Sequence, residues 1–206
     1  MACRIYYFAC MNYLVLSCYI VACLILVRND VSGQMTTFTA DLVEISVKGG
    51  STLHDWTAQC GEVVEYPSKL TLDIANDGVI EDFGFIVAVS SMDGGRGATM
   101  NNKISKALKG EQHPYITFKQ TTPSSYLVND NGQLTLTSSG LISLAGQEQK
   151  IDVTVIGEIL EDRIVFTASH PMKLSDFDIE PPSAMFGQIK TKNDIFVHLS
   201  FTYKKI

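Results

Sequence analysis

His54, Asp55 and Trp56 stand side by side in "STLHDWTAQ", and a histidine beside a carboxylate is the beginning of acid–base chemistry. The flanking residues read as a strand, where neighbours point to opposite faces, so His54 and Asp55 share a site only across a bulge. Hydrolysis would need His54 and a carboxylate converging on one pocket. The trio reads instead as structural, with Trp56 an amphipathic ring at a mouth whose indole N–H needs a partner. In "DGGRGAT" (Asp93 to Thr99) glycines precede a helix, where backbone N–H groups and Arg96 could meet an anionic head. The Gly-Lys-Ser/Thr ending of a nucleotide loop is missing. His113 and His170 each precede a proline in expected turns, and His198 alternates outward on the last strand, so the histidines show no metal-ligand spacing. Cys60 has no CxxC partner. Glu161-Asp162 and Asp176, Asp178 and Glu180 read as solvated turn charges, and no nucleophile-elbow signature is present. The residues favour binding over catalysis.

The elements around these residues are strands. "VEISVKG" sets Val43, Ile45 and Val47 against Glu44, Ser46 and Lys48, and "KLTLDIAN" repeats the pattern before the turn Asn76-Asp77-Gly78. "FGFIVAVSSM" (Phe83 to Met92) is apolar on both faces, as a doubly covered strand would be. "YITFKQT", "LTLTSS", "LISLAG", "KIDVTVIGEI", "RIVFTASHPMKL" and "DIFVHLSFTY" follow. Eight or nine short strands with Gly/Asn/Asp turns predict an antiparallel sandwich or up-and-down barrel. One segment, "MNNKISKALKGEQHP", has a helical period: Met100, Ile104, Ala107 and Leu108 form a stripe. Thr99 is the expected cap, Gly110 the left-handed terminator, and Pro114 forces the chain extended. So short a helix needs the sheet beneath it, and a barrel mouth is the expected seat.

Composition narrows the class. The 206 residues are 46% hydrophobic with net charge −6, which argues against a nucleic-acid partner. Residues 1–33 read as a leader: Arg4, the apolar run Tyr13 to Val27, then Arg28-Asn29-Asp30 and "VSG". Three fates fit it: cleavage after Gly33, retention as an anchor, and lipidation at Cys23 within "IVAC". Four of the five cysteines (Cys3, Cys10, Cys18 and Cys23) lie there, so the mature chain holds Cys60 alone and no internal disulfide. Without Arg4, Arg28 and Asp30 the chain keeps 14 basic and 21 acidic residues. Residues 34–206 show no composition shift or repeat and form one expected domain.

Several stretches carry a family likeness. "ALKGEQHPYITF" resembles the segment of YceI-like proteins in which a helix passes through a His-Pro or Tyr-Pro turn into an Ile-x-Phe strand. "GLISLAGQEQKIDVTV" resembles their Gly-x-Leu-x-Ile-x-Gly hairpin, and "SDFDIEPPSAMFGQIKTKNDIFVHLSF" the closing Asp-Phe-x-Ile segment and last strand. "GGSTLHDWTAQCGE" is similar to their opening Gly-x-Ser-x-x-x-x-Trp strand, and together these cover most of residues 37 to 204. The resemblance implies an all-β fold, an eight-stranded antiparallel lipocalin-like barrel with one short helix closing an end. It also implies an exported, periplasmic or extracellular protein that holds an isoprenoid-type amphiphile, a polyprenyl or quinone lipid, in its lumen. The loop "SMDGGRGATMNN" and the tail "EPPSAMFGQIKTKND" depart from the pattern, and both are expected at the rim.

Such a barrel either fills itself or holds one small ligand. Burying on the order of 400 Å² of a prenyl chain contributes about 10 kcal/mol at ~25 cal/mol per Å². Association costs ~4–15 kcal/mol, so a long chain is favoured. Candidate lumen residues are Phe85, Val87, Ile116, Phe118, Ile142, Leu144, Val153, Val155 and Phe166. Trp56, Ile104, Leu108, Arg96 and His113 are the candidate mouth contacts, with the polar head near the last two and the helix. The expected protein is not an enzyme and uses no cofactor or metal. Its partners are the lipid, a membrane for lipid exchange, and a second copy in a homodimer. The competing reading is a solid-cored envelope module for protein or surface interaction.

Overall fold

The computed structural model describes residues 35–184 and 186–206; the leader, with Cys23, lies outside them. Fourteen strands follow in chain order: β1 (Met35–Ser51), β2 (Asp55–Cys60), β3 (Val63–Glu65), β4 (Lys69–Asp73), β5 (Gly78–Ile80), β6 (Gly84–Ala88) and β7 (Met92–Asp93). Then come the single described α-helix, α1 (Ala98–Ala107), and β8 (Tyr115–Gln120), β9 (Ser124–Val128), β10 (Gln133–Leu144), β11 (Gln147–Ile159), β12 (Arg163–Lys173), β13 (Ser183–Ala184) and β14 (Ile189–Lys205). All pairings are antiparallel, along the path β3-β6-β8-β10-β11-β12-β14-β1-β2-β7. The sheet is all-β and curled, as expected, but it is divided into fourteen strands rather than eight. Breaks in the ladders account for the difference. β2 and β4 pair with successive stretches of the same edge of β1, and β8 and β9 do the same on β10.

Alternation sets the inward face. On β14, Ile195, Val197, Leu199, Phe201 and Tyr203 turn inside, opposite Gly49, Val47, Ile45, Val43 and Ala40 of β1. The interior changes along this axis. At one end Phe38, Leu72, Tyr126, Leu134, Ile164 and Tyr203 are all below 2% exposed and fill the space. The Tyr126 hydroxyl accepts the Asp73 N–H (3.0 Å) and donates to the Asp73 carbonyl (3.2 Å), so this buried ring keeps its polar group satisfied. Toward the other end the side chains shorten to Val47, Ala58 and Val197, and room appears.

Three local expectations are corrected. Phe83 to Met92 is not one strand: it breaks at Ala88 into a 3-10 turn, Val89–Ser91, because Ser91 Oγ bonds the Ala88 carbonyl (2.7 Å) and the Glu62 N–H (2.9 Å). The helix is capped at Gly97 without a side-chain bond, and Lys109 rather than Gly110 takes the left-handed conformation after it (φ 53°). Gly110 instead donates its N–H to the Ser105 carbonyl (2.8 Å). His170-Pro171 is not a turn but mid-strand in β12, opposite Val197 and Phe196. Proline is tolerated because the β11–β12 ladder ends at Val155 and Ala168, leaving the remaining β12 edge without a ladder partner.

Candidate functional site

Two cavities share the interior at the less filled end. The inner one, about 80 Å³, lies between the solid core and a waist of four residues: Phe85, Ile142, Met172 and Val197. The outer one, about 230 Å³, lies beyond that waist, under α1, and the same four residues touch both. The two stand end to end.

Of the residues singled out in the sequence, Phe85, Phe118, Ile142, Val153, Val155 and Phe166 line the inner cavity. Trp56, Val87, Ile116 and Leu144 line the outer one, with Ile104 and Leu108 from the helix stripe and Arg96 from the loop before it. His113 is in neither lining. It lies against Gly146, whose missing Cβ leaves room for the imidazole, and so is removed from the mouth group. Met100, Ile104 and Ala107 of the helix line the outer cavity, and Lys103 on it adds a second exposed cation to Arg96.

Trp56 is held by sequence and backbone together. It pairs with Gly49 on β1, and a Cβ there would come 2.3 Å from the indole ring. Glycine lets the ring lie across the strand, and the indole N–H donates to the Gly50 carbonyl (3.1 Å). Gly140 does the same for Phe118. His54 also lines the outer cavity, while Asp55 is exposed, so the two do not converge. A Ser51 turn fixes this corner: Ser51 Oγ accepts the N–H groups of Leu53 and His54 and donates to the His54 carbonyl. The Gly94 and Gly95 N–H groups are bonded to Asn101 Oδ1 and Asp93 Oδ1 (3.0 Å each), so these two form no open anion nest, and Arg96 and Lys103 are the cations in this lining.

The chemistry of the lining is that of a solvent for hydrocarbon. Burial pushes the Cys60 thiol up to about 11, so it is a small hydrophobe in the outer wall. Burial also holds the His170 imidazole below its ordinary value, against a smaller opposing pull from Asp152. No group of three or more His, Cys, Asp or Glu among the described residues is placed to hold a metal, and no described helix is long and apolar enough to cross a membrane. Sequence reasoning missed Ser138 and His170 in the inner wall, and Met172 and Val197 at the waist. The signal for Ser138 and His170 was present: each interrupts an apolar alternation, Leu134-Leu136-Ser138 and Phe166-Ala168-His170.

Comparison with known proteins agrees with this architecture. Among curated proteins none matches the chain. Among solved structures, BcnA of Burkholderia cenocepacia superposes with a TM-score of 0.56 at 11% identity, covering 78% of this chain and 95% of that one. A polyisoprenoid binding domain from Saccharophagus degradans, implicated in plant cell wall breakdown, superposes at 0.56 with 12% identity, covering 84% and 100%. At such identities the likeness is one of fold. The model of the YceI-like domain matches residues 25–203, and over that span the chain belongs to the YceI-like family.

Proposed function

We propose that this chain is an exported, non-catalytic carrier that holds an isoprenoid-type amphiphile in the lumen of an eight-stave barrel. Counted as staves, β2 and β3 form one, joined through Gly61 and Glu62. Bonds from Gly61 N–H to the Ser91 carbonyl (3.0 Å) and from Ala88 N–H to the Glu62 carbonyl (3.3 Å) run it alongside β6 and β7. That ladder supports a closed cylinder. The observation that carries the reading is the pair of end-to-end apolar cavities, which suits a long thin guest better than a compact one. A polyisoprenoid-binding relative with the same fold is consistent with it. The filled end behind Tyr126 is the part the interaction-module reading explains, and it does not account for the space under α1.

Trp56 is the only tryptophan and sits in the outer wall, so its fluorescence reports occupancy. Titration with geraniol, farnesol and geranylgeraniol should show affinity rising with each added isoprene unit, since each buries more apolar surface. Affinity independent of chain length would overturn the proposal. On this reading lipid exchanges with a membrane at the rim where Leu53 and Phe186 are exposed, on two loops tied by a bond from the Thr52 hydroxyl to the Gln188 carbonyl.

A further inference from the structure

The wall of the inner cavity is split on one side. β11 and β12 pair from Ile159–Ile164 to Val155–Ala168, and there their ladder stops. Yet β11 reaches back to Gln147 and β12 runs on to Lys173. Each strand keeps its other neighbour along this stretch, β10 and β14 respectively, so both edges of the split are anchored. Ile151 and Val153 on one edge, and His170 and Met172 on the other, line the inner cavity. Pro171, between the last two, has no N–H to give to a closed seam.

A short strap bridges the end of this split. It is the 3-10 turn Leu174–Phe177, followed by Asp178 in the left-handed conformation (φ 51°). On the β14 side Asn193 holds it: Oδ1 accepts the Ser175 N–H and Nδ2 donates to Ser175 Oγ, both at 2.9 Å. On the β11 side Gln149 Nε2 donates to the Asp176 carbonyl and Gln147 Nε2 to Asp178 Oδ2, both at 2.8 Å. Underneath, Leu174, Phe177 and Ile179 are buried, and Leu174 and Ile179 line the outer cavity.

The two sides of the strap are held by different forces. Its bonds to β11 come from side chains to exposed acceptors, where water is a ready substitute, so each is weak. Its apolar underside is what keeps it shut in water, since lifting it would wet Leu174 and Phe177. Against an apolar phase that penalty falls away and the glutamine bonds are left as the resistance. Releasing them breaks no strand ladder.

Building on the carrier reading, we propose that Leu174–Asp178 is a gate. An apolar guest passes sideways between the rim and the inner cavity along the β11–β12 split, and Gln147 and Gln149 are the latch. Neither glutamine lines a cavity, so the latch sets the rate of exchange and not the affinity.

The test follows Trp56 fluorescence in full-length protein after rapid mixing with phosphatidylcholine vesicles, loaded with geranylgeraniol for capture and empty for release. Gln147→Ala with Gln149→Ala should speed capture and release together, about five- to thirtyfold, and leave Kd within about twofold. Tyr126→Phe, which loosens the filled end instead, should leave both rates within about twofold. Unchanged rates in the glutamine variant would overturn the proposal, and so would faster release with a matching loss of affinity. An equal acceleration by Tyr126→Phe would overturn it by showing that general loosening suffices. Acceleration by Asn101→Ala alone, which frees Gly94 at the start of α1, would overturn it by placing the passage under the helix. These results leave the carrier reading standing, whereas a wild-type protein that takes up no geranylgeraniol defeats both.

Discussion

At the scale of single residues, the site is made by glycines that give up space and aromatic rings that take it. Gly49 under Trp56 is the sharpest case. Gly49→Ala should drive the indole off Gly50 and blue- or red-shift its emission, with about 1–3 kcal/mol lost to overpacking. An unaltered emission maximum in that variant would contradict the assigned contact. Titration gives a second check. Because the folded pKa of His170 lies below its unfolded value, the unfolded chain takes up the proton first as pH falls. Its contribution is complete above about pH 6.5 and is lost as pH drops through the unfolded and then the folded pKa. Urea midpoints at about pH 7.5 and about pH 5.5 should therefore lie closer together in His170→Asn than in wild type. Which of these residues share a face was legible because period two is rigid, so Phe85 stays with Val87 and Ile116 with Phe118; which face turns inward was not, since Phe83 to Met92 is apolar on both. For Ser138 the break in the apolar stripe was visible, but that its buried hydroxyl lacks a partner was not, since this depends on the packing around it.

Elements decide where the space is. The alternation predicted strands well, yet it could not show that ladders break: a serine hydroxyl at Ser91 ends β6, and a proline at Pro171 sits where β11 no longer pairs. Proline suggested a turn because its lost N–H usually forbids a strand, and only the neighbouring register reveals that this N–H was not needed. The helix shows the reverse. Its stripe was readable, and Met100, Ile104, Ala107 and Leu108 all line the outer cavity, but no residue of α1 itself is fully buried. A helix held that lightly should exchange its amide hydrogens faster than β10, and bound geranylgeraniol should slow α1 selectively. Equal protection of α1 with and without the lipid would contradict its role as a roof. At the rim, Leu53→Glu with Phe186→Glu should slow transfer of lipid from vesicles while leaving the equilibrium affinity within about twofold, because neither side chain lines a cavity.

At the scale of the whole described sheet, the curled strands are filled at one end and leave cavities at the other, and the two halves should respond differently to substitution. Tyr126→Phe removes a hydroxyl that serves the backbone N–H and carbonyl of Asp73, and should cost about 1–3 kcal/mol of stability without changing lipid affinity. Val197→Phe fills the waist between the cavities; it should leave stability within about 1–3 kcal/mol and abolish the advantage of long chains over short ones. The central claim is that the hollow half holds one long apolar chain. Native mass spectrometry of the folded protein purified without detergent tests it most directly. The account predicts a one-to-one adduct, released on unfolding and extractable as a prenyl lipid. A bare protein mass that stays bare after incubation with polyprenol and prenylated quinone would contradict it.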